Sequence, residues 1–245
     1  MNPKIHRVLH LTSWIVGAVL FLLLAGAAAW SHSERPVPRL LVHVFTPVGQ
    51  PLLLSSDLSD ILAEEGAPWT GKSGKEINIS LLEERLNDHP LIDRAEVFST
   101  WDGTIHIQAY QKTAKVRVIQ GDKNFYLDQN GSEMPLSVHA SASVPVLTGD
   151  LDSARMQQGF LLLTRASQHK AFPGGWSGLT VDYFGMFTAY PLLADHALLW
   201  GRPLKFDEKA NKLSVFYSYM AQAGELDSLA TVNVRYHGQV VYTAK

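Results

Sequence analysis

The stretch HPLIDRAEVFSTWDGTIHIQAYQK, His89 to Lys112, decides the fold of the first half of the chain. Pro90 closes whatever precedes it, because proline cannot continue a helix. Strands are expected from Ala95 to Thr100 and from Thr104 to Lys112, joined around Asp102-Gly103, a dipeptide suited to tight hairpin turns. In the second strand Ile105, Ile107 and Ala109 face one way and His106, Gln108 and Tyr110 the other, so one face of the hairpin has to be covered.

The cover lies upstream. SLLEERLNDHP reads as a short helix in which Ser80 and Glu83 form a capping box. SSDLSDILAEEG reads as another, capped by Ser55 or Ser56, with Leu58, Ile61 and Leu62 on one face and Gly66 terminating it. Before them LLVHVF, Leu40 to Phe45, reads as a buried strand followed by a turn between Pro47 and Pro51. The order is β-α-α-β-β, assigned to a domain at 40–118.

After Val118 short strands and turns take over, with two helices interposed. One is expected from about Asp152 to His169, with Met156, Phe160 and Leu163 on one face. The other runs from about Asp207 to Ala223, with Leu213, Phe216, Tyr217 and Met220 likewise. The chain closes with a hairpin, ATVNVRY-HG-QVVYTAK. The expected class is α+β, its second domain at 119–245 being β-rich, with an antiparallel sheet and flanking helices.

Toward the N-terminus the run from Leu9 to Trp30 has no charged residue. Its 22 positions make roughly 33 Å of helix, enough for a hydrocarbon core of about 30 Å. A single transmembrane helix is therefore expected at 9–30, after a short tail at 1–8 and before a polar linker at 31–39 that contains Pro36 and Pro38. A cleaved signal peptide is the rival reading, from Lys4, Arg7 and the Ala27-Ala28-Ala29 run, although the apolar stretch exceeds the usual length of one. Charge does not choose the orientation, since Arg35 and Arg39 follow the span as closely as Lys4 and Arg7 precede it.

The rest of the chain carries 19 basic against 23 acidic residues, a balance that argues against a nucleic-acid partner. There is no cysteine, which removes disulfides, thiolate nucleophiles and cysteine-based zinc sites. Of ten histidines only His6 and His10 have helical ligand spacing, and no cofactor or metal is expected. Ser177, in GGWSGL, lacks the second glycine of a nucleophile elbow.

GAPWTGKS, Gly66 to Ser73, satisfies the P-loop pattern. A working P-loop leaves a strand and opens a helix directly. Here a helix precedes it and the next begins only near Ser80, so an exposed loop is the better reading. Asp128, which might serve as a magnesium-linked acid, opens the Asp128-Gln129-Asn130-Gly131 turn instead. None of these motifs supports an enzyme or a small-molecule substrate.

Taken in order, these segments resemble the FtsQ/DivIB family of bacterial cell-division proteins. Pro90, Ile92, Ala95 and Val97 match its "P-x-[IV]-x-x-A-x-V" element, which leads into the closing strands of a POTRA domain. FYLDQNG is similar to its "[YF]-L-[VI]-D-x-x-G" segment, with Asp128 one position early. Trp200 to Met220 resembles a strand-and-helix of the family. Val232 to Gly238 resembles its terminal "[VI]-D-L-R-Y-x-x-G" strand, with Asn233 in place of the acid, one residue fewer before Gly238, and Arg235 and Tyr236 retained.

The resemblance implies a POTRA-like domain and a β-domain outside the bacterial cytoplasmic membrane, with the N-terminus in the cytoplasm. It also implies a non-enzymatic divisome scaffold with FtsB/DivIC-like and FtsL-like coiled-coil partners and, beyond them, FtsW/FtsI-like synthases. The partner site it implies is Arg235, Tyr236, Gln239, Val240, Val241 and Tyr242. A POTRA-type chaperone or secretion component and a membrane-bound nucleotide hydrolase are the competing readings.

Overall fold

A computed structural model describes residues 14–26, 39–64 and 77–245. The GAPWTGKS stretch, most of the linker and both ends of the apolar run lie outside the described residues. Residues 14–26 form a helix, α1, exposed throughout. Among the described residues no helix is long and apolar enough to cross a membrane. The remainder forms two compact units.

The first unit has strand β1 (Leu40–Phe45), helices α2 (Ser55–Glu64) and α3 (Ile79–Asn87), and strands β2 (Ile92–Ser99) and β3 (Ile105–Gln111). The sheet order is β1-β3-β2, with β1 parallel to β3. Ile105, Ile107 and Ala109 are buried, as are Leu58 and Leu62 of α2 and Leu82 and Leu86 of α3. The two helices thus supply the cover that the alternation in β3 demands. The Asp102-Gly103 turn is tied by Asp102, whose Oδ1 accepts from Thr100 Oγ1 at 2.6 Å and from Thr104 N at 3.1 Å. Those bonds, that from Thr100 first, hold the carboxyl down to about 2.

One detail differs from the sequence expectation. The cap of α3 is Asn78, whose Oδ1 accepts from Leu81 N at 3.1 Å, and Ser80 lies inside the first turn. Glu83 turns instead to β2, where its Oε2 accepts from Val97 N at 3.0 Å.

The second unit comprises 46–53 and 111–245. The sequence expectation put the boundary after Val118. The units divide at Tyr110–Gln111 because β4 (Ala114–Gln120) buries Val116 and Val118 in the second core. Its other strands are β5 (Lys123–Asp128), β6 (Glu133–Met134), β7 (Val146–Gly149), β8 (Trp176–Val181), β9 (Phe187–Pro191), β10 (Ala197–Gly201), β11 (Leu229–Asn233) and β12 (Val241–Ala244). Helix α4 (Ser153–Gln168) lies between β7 and β8, and α5 (Phe206–Ala223) between β10 and β11. The nine strands follow the order β12-β11-β10-β9-β8-β7-β4-β5-β6. The sheet is mixed rather than antiparallel: β4 with β7, β7 with β8, and β10 with β11 run parallel. Helical crossovers impose two of these pairings, since α4 joins β7 to β8 and α5 joins β10 to β11, whereas the chain passes from β4 to β7 through β5 and β6.

One buried cluster takes Leu162, Leu163 and Ala166 from α4, Phe206, Ala210, Leu213 and Met220 from α5, and side chains from β4 to β11. Both helices therefore cover the same face of the sheet. On the uncovered face Thr148 and Thr180 meet at 3.0 Å, as expected of a solvated surface. Two glutamines fasten 46–53 to the start of β4. Gln111 Oε1 accepts from Leu52 N and Leu53 N, both at 2.9 Å, and the Gln50 carboxamide exchanges two hydrogen bonds with the Ala114 backbone. Asp128 opens its turn as expected, Oδ1 accepting from Asn130 N at 2.7 Å and Ser132 N at 3.0 Å.

Gly149 ends β7 at φ +105°, and a Cβ there would lie 2.0 Å from the Val181 carbonyl oxygen. Gly149→Ala is expected to cost at least about 3 kcal/mol, because left-handed strain and overpacking against rigid backbone add. Urea unfolding measures this, and an unchanged midpoint would contradict the close approach.

Candidate functional site

The terminal strand β12 forms one end of the nine-stranded sheet and β6, only two residues long, forms the other. Strand β12 pairs with β11 in the register Thr231↔Thr243, Val232↔Tyr242 and Asn233↔Val241. All four of its residues are exposed. Among the described residues no strand neighbours its outer side, and the N–H and C=O groups along such an edge form a template for an added strand.

Arg235, Tyr236, Gln239 and Val240 lie in the seven-residue connection 234–240, while Val241 and Tyr242 lie on β12. The two-residue His237-Gly238 turn expected from the sequence is thus a longer loop. Its first half is held from below. The Arg235 backbone N and Nε both donate to Asn233 Oδ1, at 3.1 and 3.0 Å. The stem of Arg235 lies over Gly201 at the end of β10, where a Cβ would be 2.8 Å from Arg235 Cγ. Tyr236 is 49% exposed, half of it free for a partner. Tyr242 packs its ring 5.5 Å from that of Phe216, and Val240 rests on the core.

Helix α5 supplies the support that sequence reasoning missed. Lys212 Nζ donates to the carbonyls of Val234, at 3.0 Å, and Tyr236. Burial lowers its pKa. One turn earlier Lys209 Nζ donates to the carbonyls of Trp200 and Arg202 at 2.9 and 2.7 Å. Burial first, and then the charge of Lys212, push it down to about 8 against the pull of Glu208. Glu208 also meets His237 at 3.1 Å. The available signal was the Lys209 and Lys212 pair three residues apart, flanking the apolar stripe of a helix.

The far end of β12 is anchored as well. Lys245 N donates to Ser228 O at 2.7 Å and its Nζ meets Asp195 at 3.2 Å. Beside Asp195, buried His196 places Nε2 2.6 Å from Tyr217 Oη. Burial first, and the Lys245 charge second, lower the pKa of His196, while Asp195 opposes them.

In the first unit the outer edge of β2 is occupied. Its amides at Ala95 and Val97 donate to Asn87 Oδ1 at 2.7 Å and Glu83 Oε2 at 3.0 Å, both from α3. An added strand would have to displace them.

The architecture defines a class: an α+β chain that joins a POTRA-like unit to a β-rich domain ending in an open edge strand. Residues 41–110 match the POTRA-like domain model. Residues 114–243, more than half of the chain, match the family described as FtsQ/DivIB, C-terminal related, and the chain belongs to that family. No curated protein matches it. Members of the FtsQ/DivIB family are non-enzymatic cell-division proteins.

Two outcomes check the site. Lys212→Met is expected to loosen 235–240 by about 1 kcal/mol, discounted for partial exposure, which is roughly fivefold faster amide exchange there. Unfolded His196 takes its proton near pH 6.5 and the folded side chain only at lower pH, so the unfolded state binds more protons as pH falls. Stability should drop from about pH 6.5 downward, and His196→Gln should flatten that part of the profile measured by urea unfolding. An identical slope in both proteins would remove His196 from the account.

Proposed function

We propose that this chain is a divisome scaffold that captures FtsB/DivIC-like and FtsL-like partners by adding a partner strand to β12, and so recruits or regulates septal cell-wall synthesis by FtsW/FtsI-like enzymes. The observation that carries the reading is the edge itself: a terminal strand, exposed along its length, at the open end of a nine-stranded sheet. Main-chain pairing supplies affinity and flanking side chains supply selectivity. Tyr236 offers rigid contact area, and Arg235, already oriented by Asn233, offers a charged donor to an acidic partner residue. The apolar run 9–30 serves as a single-pass anchor in the cytoplasmic membrane, its short N-terminal tail in the cytoplasm and both units outside.

In the first unit one of the two outer strands, β2, is already occupied by Asn87 and Glu83 and is not offered to a passing chain. Tyr236→Ala, which removes a half-exposed ring and leaves the backbone bonds to Lys212 in place, is expected to weaken capture of the FtsB/FtsL-like pair at least tenfold with an unchanged circular dichroism spectrum. Undiminished co-purification would overturn the site assignment.

A further inference from the structure

Strand β1 runs parallel to β3, with Leu40 opposite Ile105, so the chain enters the first unit at the same end of the sheet as the β2–β3 turn at 100–104. The residue before β1 is already part of that end, since the Arg39 carbonyl accepts from Ile105 N at 3.1 Å. Only ten positions lead from Trp30, the last of the apolar run, to Leu40, and ten residues span at most about 36 Å. The turn at 100–104 therefore lies where the distance of the first unit from the apolar run is limited most directly.

The side chains gathered there are not those of a solvated turn. Trp101, within the turn, is 85% exposed. Beside it, on the sheet face away from the buried Ile105, Ile107 and Ala109, Leu41, His106 and Phe98 form a row: Leu41 stands opposite His106 in the register, and the rings of His106 and Phe98 stack with centroids 5.1 Å apart. Leu41 and Phe98 are exposed as well. The open face of a one-sided sheet is ordinarily polar, and apolar side chains clustered on a surface mark a contact.

The two charged residues at this end differ. Asp102, the acid of the turn, spends both oxygens inside it: Oδ2 accepts from Thr104 Oγ1 at 3.0 Å, and Oδ1 takes the bonds from Thr100 and Thr104 that stiffen the loop. Arg39 is exposed, and its side chain makes no hydrogen bond or ion pair among the described residues. An available guanidinium next to an outward indole and two apolar side chains matches the layering of a lipid surface. Indole rings suit the headgroup level, leucyl and phenyl groups the acyl boundary beneath it, and a guanidinium fork suits a phosphate.

We infer that the β2–β3 turn seats the first unit on the membrane surface outside the cytoplasm, with Trp101 entering the headgroup layer and Arg39 pairing with a lipid phosphate. The inference rests on the reading of 9–30 as a membrane anchor. The anchor supplies proximity: on so short a tether, a contact too weak to hold a free protein on lipid becomes intramolecular. Two attachments, the chain entering at Leu40 and the ring at Trp101, then set how the first unit stands on the surface, which one tether alone leaves open.

The test uses the full-length chain reconstituted in vesicles of phosphatidylethanolamine and phosphatidylglycerol. Because the chain has no cysteine, Ser99→Cys beside the turn and Asp122→Cys on the second unit each accept a single nitroxide label. Spin resonance then reads its collisions with oxygen, which concentrates in lipid, and with a nickel chelate, which stays in water. The label at 99 is expected to favour oxygen and the label at 122 nickel. Trp101→Ser and Arg39→Glu, each added to Ser99→Cys, should shift the label at 99 to nickel with an unchanged circular dichroism spectrum, whereas Arg39→Lys should keep the lipid signature. If the chain withstands an alkaline carbonate wash while the label at 99 prefers nickel, the lipid contact is overturned and the anchor stands. If the chain washes off, both fall. Oxygen preference at both positions would mean general adsorption and overturn the assignment. So would a label at 99 that loses access to both reagents as protein density rises, since a second copy then covers the patch.

Discussion

Everything in the second unit leans on an edge-to-face packing of large rings. Trp176 on β8 and Trp200 on β10 lie with centroids 5.1 Å apart at 65°, with Phe172 and Phe206 against them. Both indole N–H groups are buried without a hydrogen-bond partner, so the cluster is held by apolar burial and ring geometry alone. Phe206 begins α5 and Phe172 lies just after α4, so the cluster fixes where both helices meet the sheet. Arg165 of α4 closes it from outside, 4.4 Å over the Phe206 ring and bonded to Asp207. Because α5 is seated there, Lys209 and Lys212 reach the connections around Trp200 and Tyr236. The exposed edge at β12 thus inherits its shape from buried tryptophans.

Edges are the other governing constraint. Two sheets present four outer strands, and each unguarded strand is a hazard as well as an opportunity. Strand β6 is blunted by its length of two residues, and β2 by the carboxamide of Asn87 and the carboxylate of Glu83. Strands β1 and β12 have neither safeguard among the described residues, and around β12 the surroundings are firm: Phe216 beneath Tyr242, Asn233 beneath Arg235, Lys245 tied at the end. An ordered open edge costs a partner less to bind than one that must first be straightened.

Periodicity and turn chemistry carried much of this fold in plain view. The alternation in Ile105, Ile107 and Ala109, the Asp102-Gly103 turn and the apolar stripe at Leu213 and Met220 are local signals, and the structure realises them. Strand direction was not legible. A strand in a mixed sheet has no mark distinguishing a parallel from an antiparallel neighbour, and the antiparallel expectation failed at three pairings. The division at Tyr110–Gln111 precedes the expected boundary after Val118, and no loop marks it, since only Lys112 and Thr113 separate β3 from β4. At the loop 234–240, motif order pointed to Arg235 and Tyr236, whereas the roles of Lys212 and Asn233 depend on distance in space: the lysine spacing on α5 marks a helix face, not the carbonyls 22 and 24 residues away that Lys212 clasps.

The two glutamines at the root of the second unit matter when the chain is pulled. Gln111 holds the amides of Leu52 and Leu53, and Gln50 holds both backbone groups of Ala114. These bonds lie within a few residues of one another on both sides, so they hold 46–53 as a group. The segment 46–53 therefore cannot leave the second unit one residue at a time: Gln50, Leu52 and Leu53 have to let go of Gln111 and Ala114 before it peels away.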